Sequence, residues 1–100
     1  MAFRRGFEPH YCHATHCTRT CKPESLMCLA HWRVVPYVLQ RAVYQNYRPG
    51  QCDDKRPSRL WHQAADAAIG YVAVSEGFGI TVAQRDALIA AGFESIVVRP

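Results

Sequence analysis

Cysteine and histidine residues are concentrated in one short segment near the start of this 100-residue chain. The chain has five cysteines and five histidines, and four of each lie between residues 10 and 31. Thiolate sulfur and imidazole nitrogen are the usual ligands of structural zinc, at about 2.3 and 2.0–2.1 Å from the ion. In a reducing compartment clustered cysteines are more often metal ligands than disulfides, and an odd number of them fits a closed disulfide framework poorly. The clustering therefore predicts a zinc site.

The spacing within this segment favours one set of four ligands. Cys12 and Cys17 are separated by four residues, whereas Cys28 and His31 are separated by two. Residues three apart lie on one face of a helix, so the second pair can converge on one ion. The first pair brackets a loop that is short enough to return to the same point. We expect one structural zinc ion bound by four residues, which are Cys12, Cys17, Cys28 and His31.

Other assignments remain open on spacing alone. Cys17 and Cys21 form a second candidate pair. A cysteine could also be replaced by one of three further histidines, which are His10, His13 and His16. Cys28 could instead be a buried apolar thiol, and His31 a core histidine whose hydrogen bonds are satisfied. Cys52 lies in a polar segment, where we expect an ordinary exposed thiol.

The candidate zinc site offers no catalytic position. Four protein ligands leave no place for the water that catalytic zinc requires. The chain also lacks the H-E-x-x-H motif of metalloproteases, the zinc-deaminase pattern and a glycine-rich phosphate loop. Ser58 fits a helix cap better than a nucleophile, and the Asp53-Asp54 pair fits a solvated loop. We therefore predict that the protein is not an enzyme and has no small-molecule substrate.

Hydrophobic periodicity and capping signals predict the helices that position this segment. A short helix is expected at residues 23–33. A second begins at Pro36, whose missing N–H is not needed in the first turn, and ends near Tyr47. Its apolar stripe consists of Val35, Val38, Leu39, Ala42 and Val43. Residues 48–57 are rich in turn formers and charge, and we expect a loop there.

The second half of the chain carries the clearest helix signals. Ser58 is expected to cap the longest helix, at residues 58–76. The apolar stripe of that helix consists of Trp61, Ala64, Ala65, Ala68, Ile69 and Val72. Thr81 and Gln84 have capping-box spacing ahead of a fourth helix at residues 82–91.

The C-terminal tail, residues 93–100, differs from these helices in composition. It contains three consecutive β-branched residues, Ile96-Val97-Val98, and we expect a short strand or an extended arm. With 49% hydrophobic and 20% charged residues, a chain of this length fits a single small domain, residues 1–100. We predict a mainly α fold in which a zinc knuckle, residues 10–33, packs on a helical part, residues 36–91.

Basic charge is concentrated in the N-terminal half of the chain. Residues 1–59 carry ten Lys or Arg against four Asp or Glu, whereas residues 60–100 carry two against four, which gives the net charge of +4. This distribution suits an acidic partner, but it is weaker than that of a dedicated duplex binder. No apolar stretch approaches the roughly 20 residues of a membrane-spanning helix, so we expect no membrane partner.

Tyrosine and arginine alternate along one face of the second predicted helix, at Tyr37, Arg41, Tyr44 and Arg48, with Arg33 and Tyr47 nearby. Both residue types are enriched in interface hot spots, and both can stack on bases. A solvated face whose long side chains cover the core is the alternative explanation. The candidate partner-binding residues are Arg33, Tyr37, Arg41, Tyr44, Tyr47 and Arg48.

A combination of short motifs runs through the first three quarters of the chain. It comprises the C-x4-C knuckle, the element LMCLAHW at residues 26–32, the Val35-Pro36 helix start and the turn YRPGQ at residues 47–51. In these features, over residues 10–75, the sequence resembles a group of small zinc-finger-like proteins encoded in bacteriophages and bacterial prophages. The resemblance implies a phage context and a zinc site. It also implies that Cys21 is not a ligand, because the group lacks a cysteine there.

Two non-enzymatic functions fit these features. The first is a phage accessory protein that binds and inhibits a host protein or nucleoprotein, for example a nucleic-acid-targeting defence complex, in the manner of an anti-CRISPR protein. The alternative is a DNA- or RNA-binding regulator that uses the zinc knuckle and the Arg/Tyr helix. A structural or assembly role in the virion is a third option. The N-terminal sequence MAFRRGFEPHYC has no apolar run after its arginines, so we expect a cytoplasmic location, in the host bacterium if the protein is phage-encoded.

Overall fold

The computed structural model describes residues 10–54 and 56–97, and this part of the chain is mainly helical. Its helices are α1 (Leu29–Trp32), α2 (Tyr37–Gln45), α3 (Gln51–Asp54), α4 (Arg59–Ser75), α5 (Val82–Ala90) and α6 (Glu94–Val97). Instead of a strand, the described backbone has an isolated antiparallel bridge between Tyr11 and Thr20. The predicted mainly α fold with an N-terminal Cys/His cluster is confirmed. None of the described helices is both long enough and apolar enough to span a membrane.

Side-chain caps start the two helices with the clearest sequence signals. The Ser58 hydroxyl accepts a hydrogen bond from the Trp61 N–H at the start of α4. Thr81 and Gln84 form a reciprocal capping box at the start of α5. Each cap satisfies N–H groups that the first turn of a helix leaves without partners. Both helices begin and end within one residue of the prediction.

Helices α4 and α5 pack closely because α4 presents small residues to its neighbour. The buried residues of α4 are Ala64, Ala65, Ala67, Ala68, Gly70, Val72 and Ala73. A Cβ atom at Gly70 would lie 3.0 Å from Leu88 Cδ1 and 3.1 Å from Gln84 Cβ, so a larger residue there would push the helices apart. Leu88 itself is fully buried and joins the core that α2 completes with Leu39.

Helix α2 covers this core with a narrower stripe than the sequence predicted. Val35, Leu39 and Val43 are buried in a line at four-residue spacing. Val38 was expected in the stripe, but its side chain is 58% exposed. It lies about 100° around the helix from Leu39, outside the face that contacts α4. Pro36 precedes the helix as its N-cap, with extended backbone angles.

The first predicted helix, at residues 23–33, begins later than expected. The structure has α1 only at Leu29–Trp32. The Ser25 carbonyl faces His10 Nε2 at 3.0 Å, and the Leu26 carbonyl accepts a hydrogen bond from the His13 N–H at 3.0 Å. Because contacts with the N-terminal segment engage these carbonyls, residues 23–28 form turns rather than helix.

Two further expectations are corrected by the structure. The segment 48–57, expected to be a loop, contains the short helix α3, in which buried Gln51 accepts a hydrogen bond from the Arg48 N–H at 2.7 Å. The tail forms helix α6 rather than a strand, with Ile96 and Val97 packed against the core. A strand needs a neighbouring strand for its hydrogen bonds, and the described residues offer none. Val98 lies outside the described residues.

The close packing at Gly70 predicts a large difference between two glycine substitutions. Gly70→Val should lower the free energy of unfolding by about 1–3 kcal/mol, because the added atoms overpack the contact with Leu88 and Gln84. Gly79→Val is the matched control, since no atom lies within 4 Å of a Cβ at that position. Urea unfolding of both variants measures the difference. Equal stability of the two variants would contradict the close approach of α4 and α5.

Candidate metal centre

A short backbone pairing closes the N-terminal knuckle. The Cys12 N–H donates to the Arg19 carbonyl at 2.8 Å, and the Cys21 N–H donates to the His10 carbonyl at 2.8 Å. These hydrogen bonds flank the bridge between residues 11 and 20 and fold the intervening chain back on itself. The pairing therefore holds the two ends of the loop that carries Cys17.

A tight turn inside that loop brings the first two thiols to one side. The Cys17 N–H donates to the Ala14 carbonyl at 3.0 Å, and His16 adopts a positive φ of 65° that completes the turn. The Ala14 N–H points at the Cys12 sulfur at 3.4 Å. A backbone donor directed at sulfur stabilises the thiolate form, which is the form that binds metals. The His16 ring also contacts Phe78 edge-on, with ring centroids 4.8 Å apart.

The second pair is positioned by the start of helix α1. Cys28 is the N-cap residue, with φ −66° and ψ 162°, and His31 lies three residues later in the helix. The Cys28 carbonyl accepts a hydrogen bond from the Trp32 N–H at 2.9 Å, which fixes this turn. The pair therefore presents its sulfur and its imidazole nitrogen on the same side of α1.

The four favoured residues converge on one point. The ligand atoms of Cys12, Cys17, Cys28 and His31 all lie within 4.8 Å of one another. His31 Nδ1 is 3.3 Å from the Cys28 sulfur and 3.6 Å from the Cys12 sulfur. A tetrahedral zinc site places sulfur and nitrogen about 3.6 Å apart, given its usual bond lengths. The donor set and its spacing therefore fit a four-coordinate metal ion.

A carboxylate orients the histidine of this cluster. His31 Nε2 lies 3.0 Å from a carboxylate oxygen of Glu76, the residue that follows α4. Donation of the Nε2 proton to this carboxylate leaves the Nδ1 lone pair directed at the sulfurs, as a metal ligand requires. The sequence analysis did not identify Glu76. One signal was present, because an acidic residue at a helix C-terminus opposes the helix dipole and needs another reason to be there.

Burial and hydrogen bonding shift the pKa values of Cys12 and Cys28 in opposite directions. Burial raises the pKa of the Cys12 thiol to about 11. Burial also raises the pKa of Cys28, but hydrogen bonds from the His31 backbone and imidazole, and from Cys12 and Cys17, outweigh it and bring that pKa to about 6. A bound cation favours the thiolate form of every cysteine that binds it, so it would lower the pKa of both thiols.

The alternative ligands lie outside the four-residue cluster. Cys21 is half-buried, and its thiol donates to the Ser25 carbonyl at 3.7 Å. Burial raises its pKa, and the neighbouring thiols of Cys28 and Cys17 raise it further. The rings of His10 and His13 pack together at 5.3 Å. Among the described residues, the four-residue cluster is the one group of three or more His, Cys, Asp or Glu side chains whose ligand atoms lie close enough to hold a metal ion. The side chain of Cys52 is not among those the structure describes.

Three of the six candidate partner-binding residues share the exposed face of α2. Tyr37 is 70% exposed, Tyr44 is 65% exposed, and the guanidinium of Arg41 lies 6.0 Å from the centre of the Tyr37 ring. Tyr44 also has a structural contact, because its hydroxyl accepts a hydrogen bond from Trp32 Nε1 at 3.1 Å. We call Tyr37, Arg41 and Tyr44 the α2 face.

The other three candidate residues have different surroundings. Arg33 is exposed directly after α1. Tyr47 is half-buried and lines a cavity beside α2. Arg48 holds the following loop together, since it donates to the Arg56 carbonyl at 3.0 Å and forms an ion pair with Asp54. That hydrogen-bonded pair lowers the pKa of the Asp54 carboxyl.

Comparisons of this chain with protein-family models, curated proteins and solved structures find no match. The similarity to phage-encoded proteins therefore stays a prediction from the sequence.

The cluster predicts which cysteines the metal needs. Cys28→Ser should remove the metal and lower the free energy of unfolding by more than about 3 kcal/mol, because structural zinc contributes roughly 10–16 kcal/mol in zinc-finger peptides. Cys21→Ser should keep one metal ion per chain, since its sulfur lies outside the cluster. Metal analysis of the purified variants, with thermal unfolding, measures both effects. Loss of the metal from Cys21→Ser alone would show that the ligand set is wrong.

The Glu76 contact predicts a graded loss of metal affinity. Glu76→Ala should weaken metal binding about 10- to 100-fold, as removal of a carboxylate behind a metal-bound histidine typically does. Glu94→Ala is the control, because Glu94 is exposed and lies in α6. Competition with a chromophoric chelator gives both affinities. Equal affinities in the two variants would mean that Glu76 does not orient His31.

Proposed function

We propose that this protein is a zinc-stabilised binding protein without enzymatic activity, and that it captures a macromolecular partner through the α2 face. The observation that carries the proposal is the combination of a closed four-residue cluster with an exposed aromatic and basic helix face. The cluster supplies stability to the N-terminal region. The α2 face lies outside the cluster, and its exposed side chains can contact a partner.

Zinc is the metal that the donor set favours. Three thiols and one imidazole are soft and borderline ligands, which suit zinc better than calcium, magnesium or manganese. The cluster supplies all four ligands of a tetrahedral ion, so such an ion has no open position for substrate. This ligand number supports a structural ion, whose binding free energy contributes to folding.

The α2 face has the residue types that carry binding energy in interfaces. Tyrosine and arginine bury large areas, and a guanidinium near an aromatic ring is already held in place for contact. Tyr37 and Arg41 are exposed at adjacent turns of α2 and form such a pair. An exposed tyrosine of this kind contributes little to the core, so its presence supports a role in recognition.

The partner class follows from charge and from the sequence resemblance. We propose a host protein or nucleoprotein, inhibited by a phage-encoded accessory protein in the bacterial cytoplasm. A nucleic-acid-binding regulator is the alternative, supported by the charge of +6 on residues 1–59. A salt titration separates the two, because binding to phosphates weakens steeply as counterions are added.

The proposal predicts that binding and stability separate at the α2 face. Tyr37→Ala combined with Arg41→Ala should change the free energy of unfolding by only about 0.5 kcal/mol, since both side chains are exposed. The same variant should weaken partner binding by about 2 kcal/mol or more. Quantitative mass spectrometry of proteins captured from a bacterial lysate, with thermal unfolding, measures both quantities.

A control removes one exposed apolar and one exposed basic side chain elsewhere. Val82 and Arg85 are exposed on successive turns of α5, and their double alanine variant should keep both binding and stability. Equal capture by the two double variants would contradict the proposed surface. A large loss of stability in the α2 variant would instead place Tyr37 and Arg41 among the structural residues.

A further inference from the structure

A cavity of about 590 Å³ opens between the knuckle and α2. This volume is within the range of about 300–1,000 Å³ that holds a drug-sized ligand, so it can receive a bulky side chain. Its apolar lining includes Leu26, Met27, Leu29, Trp32 and Val43. Tyr44 also lines the cavity and belongs to the α2 face, so the cavity and that face form one continuous surface.

Two aromatic residues in contact form one wall of the cavity, and an exposed leucine lies beside them. Trp32 and Tyr44 meet edge-on at 5.6 Å, and their hydrogen bond holds the two rings as one wall. Leu29 is 62% exposed although it is a large apolar residue. An exposed leucine beside an aromatic wall is the arrangement that a binding partner would cover.

The segment that carries α1 and α2 has no acidic residue of its own, although Glu76 reaches His31 from the end of α4. The chain has no Asp or Glu between Glu24 and Asp53. Arg33 and Arg41 are exposed, and the ion pairs described for this chain do not include them. Lys22 and Glu24 both line the cavity and offset each other. The two arginines therefore place two positive charges, outside the described ion pairs, beside this surface.

We infer that the partner is a protein segment that presents a large apolar side chain beside acidic residues. The apolar side chain enters the cavity next to Trp32, and the carboxylates pair with Arg33 and Arg41. This inference rests on the proposed function and specifies the chemistry of its partner. Complementary charge determines the orientation of the segment, and burial of the apolar side chain supplies most of the affinity.

A peptide fits this surface better than a single nucleic-acid strand does. An apolar side chain can enter the mostly apolar cavity without losing hydrogen bonds. The edge of a base would exchange water for a lining that is mostly apolar, with few polar side chains such as Thr20 and Ser25 to replace those contacts. Arg33 and Arg41 also supply only two positive charges, whereas a strand carries one negatively charged phosphate on every nucleotide.

Selection from a displayed library of short random peptides on the purified full chain tests this inference. We expect enriched peptides to combine Trp, Phe or Leu with at least two acidic residues. Replacing the apolar residue by Ala, or the acidic residues by their amides, should each weaken binding about tenfold or more. Fluorescence anisotropy of a labelled enriched peptide measures these affinities.

Matched variants of the protein locate the binding surface. Leu29→Ala and Arg41→Gln should each weaken the selected peptide about tenfold. Val82→Ala is the control for Leu29, because both residues start a helix and are exposed. Arg59→Gln is the control for Arg41, because Arg59 is exposed at the start of α4. Both controls should bind as the unmodified chain does.

The outcomes separate this inference from the proposed function. Peptides that depend on Tyr37 and Arg41 but not on Leu29 would overturn the inference and leave the proposed function standing. Peptides indifferent to all three residues would overturn both. Enrichment of acid-free or basic peptides, no enrichment, or stronger binding of a thymidine oligonucleotide than of any selected peptide would each overturn the inference.

Discussion

Convergence of four donor atoms from two separate chain segments is the constraint on which the N-terminal third of this protein depends. Residues 10–28 contain turns and an isolated bridge rather than helix or strand, so regular backbone hydrogen bonding contributes little there. Three thiols and one imidazole within 4.8 Å are costly to hold together when the thiols ionise. A cation at their centre would turn that repulsion into attraction, and its binding free energy would then contribute to local folding.

The metal cluster is also connected to the helical part of the chain. The contact between His31 and Glu76 links α1 to the end of α4, and the ring contact between His16 and Phe78 lies beside it. The same buried core includes Cys12 at one end and Leu88 at the other. Helix α2 joins this core through Leu39 and Val43, whereas Tyr37 on its opposite face is exposed. The proposed binding surface therefore lies on the side of α2 that faces away from the core.

The features that could be predicted from the sequence are those that depend on residues close together in the chain. The caps at Ser58 and Thr81 act within one helical turn. The spacings within a short segment favour the four-residue cluster, but they leave Cys21 and three other histidines open as ligands. The late start of α1 arises from carbonyls engaged by distant residues, and the C-terminal helix arises because no strand is available to pair with it. The Glu76 contact joins residues 45 positions apart, so the acidic residue at the end of α4 is a local signal that does not identify His31 as its partner.

X-ray absorption at the zinc edge of the purified protein directly tests whether the four-residue cluster binds zinc. The method counts the atoms bound to the metal and identifies their elements. We expect three sulfur atoms at about 2.3 Å and one nitrogen atom at about 2.0–2.1 Å, in tetrahedral coordination. Four sulfur atoms would mean that Cys21 replaces His31. A shell of oxygen atoms would mean that the four-residue cluster does not hold the ion, and would contradict the proposed zinc site.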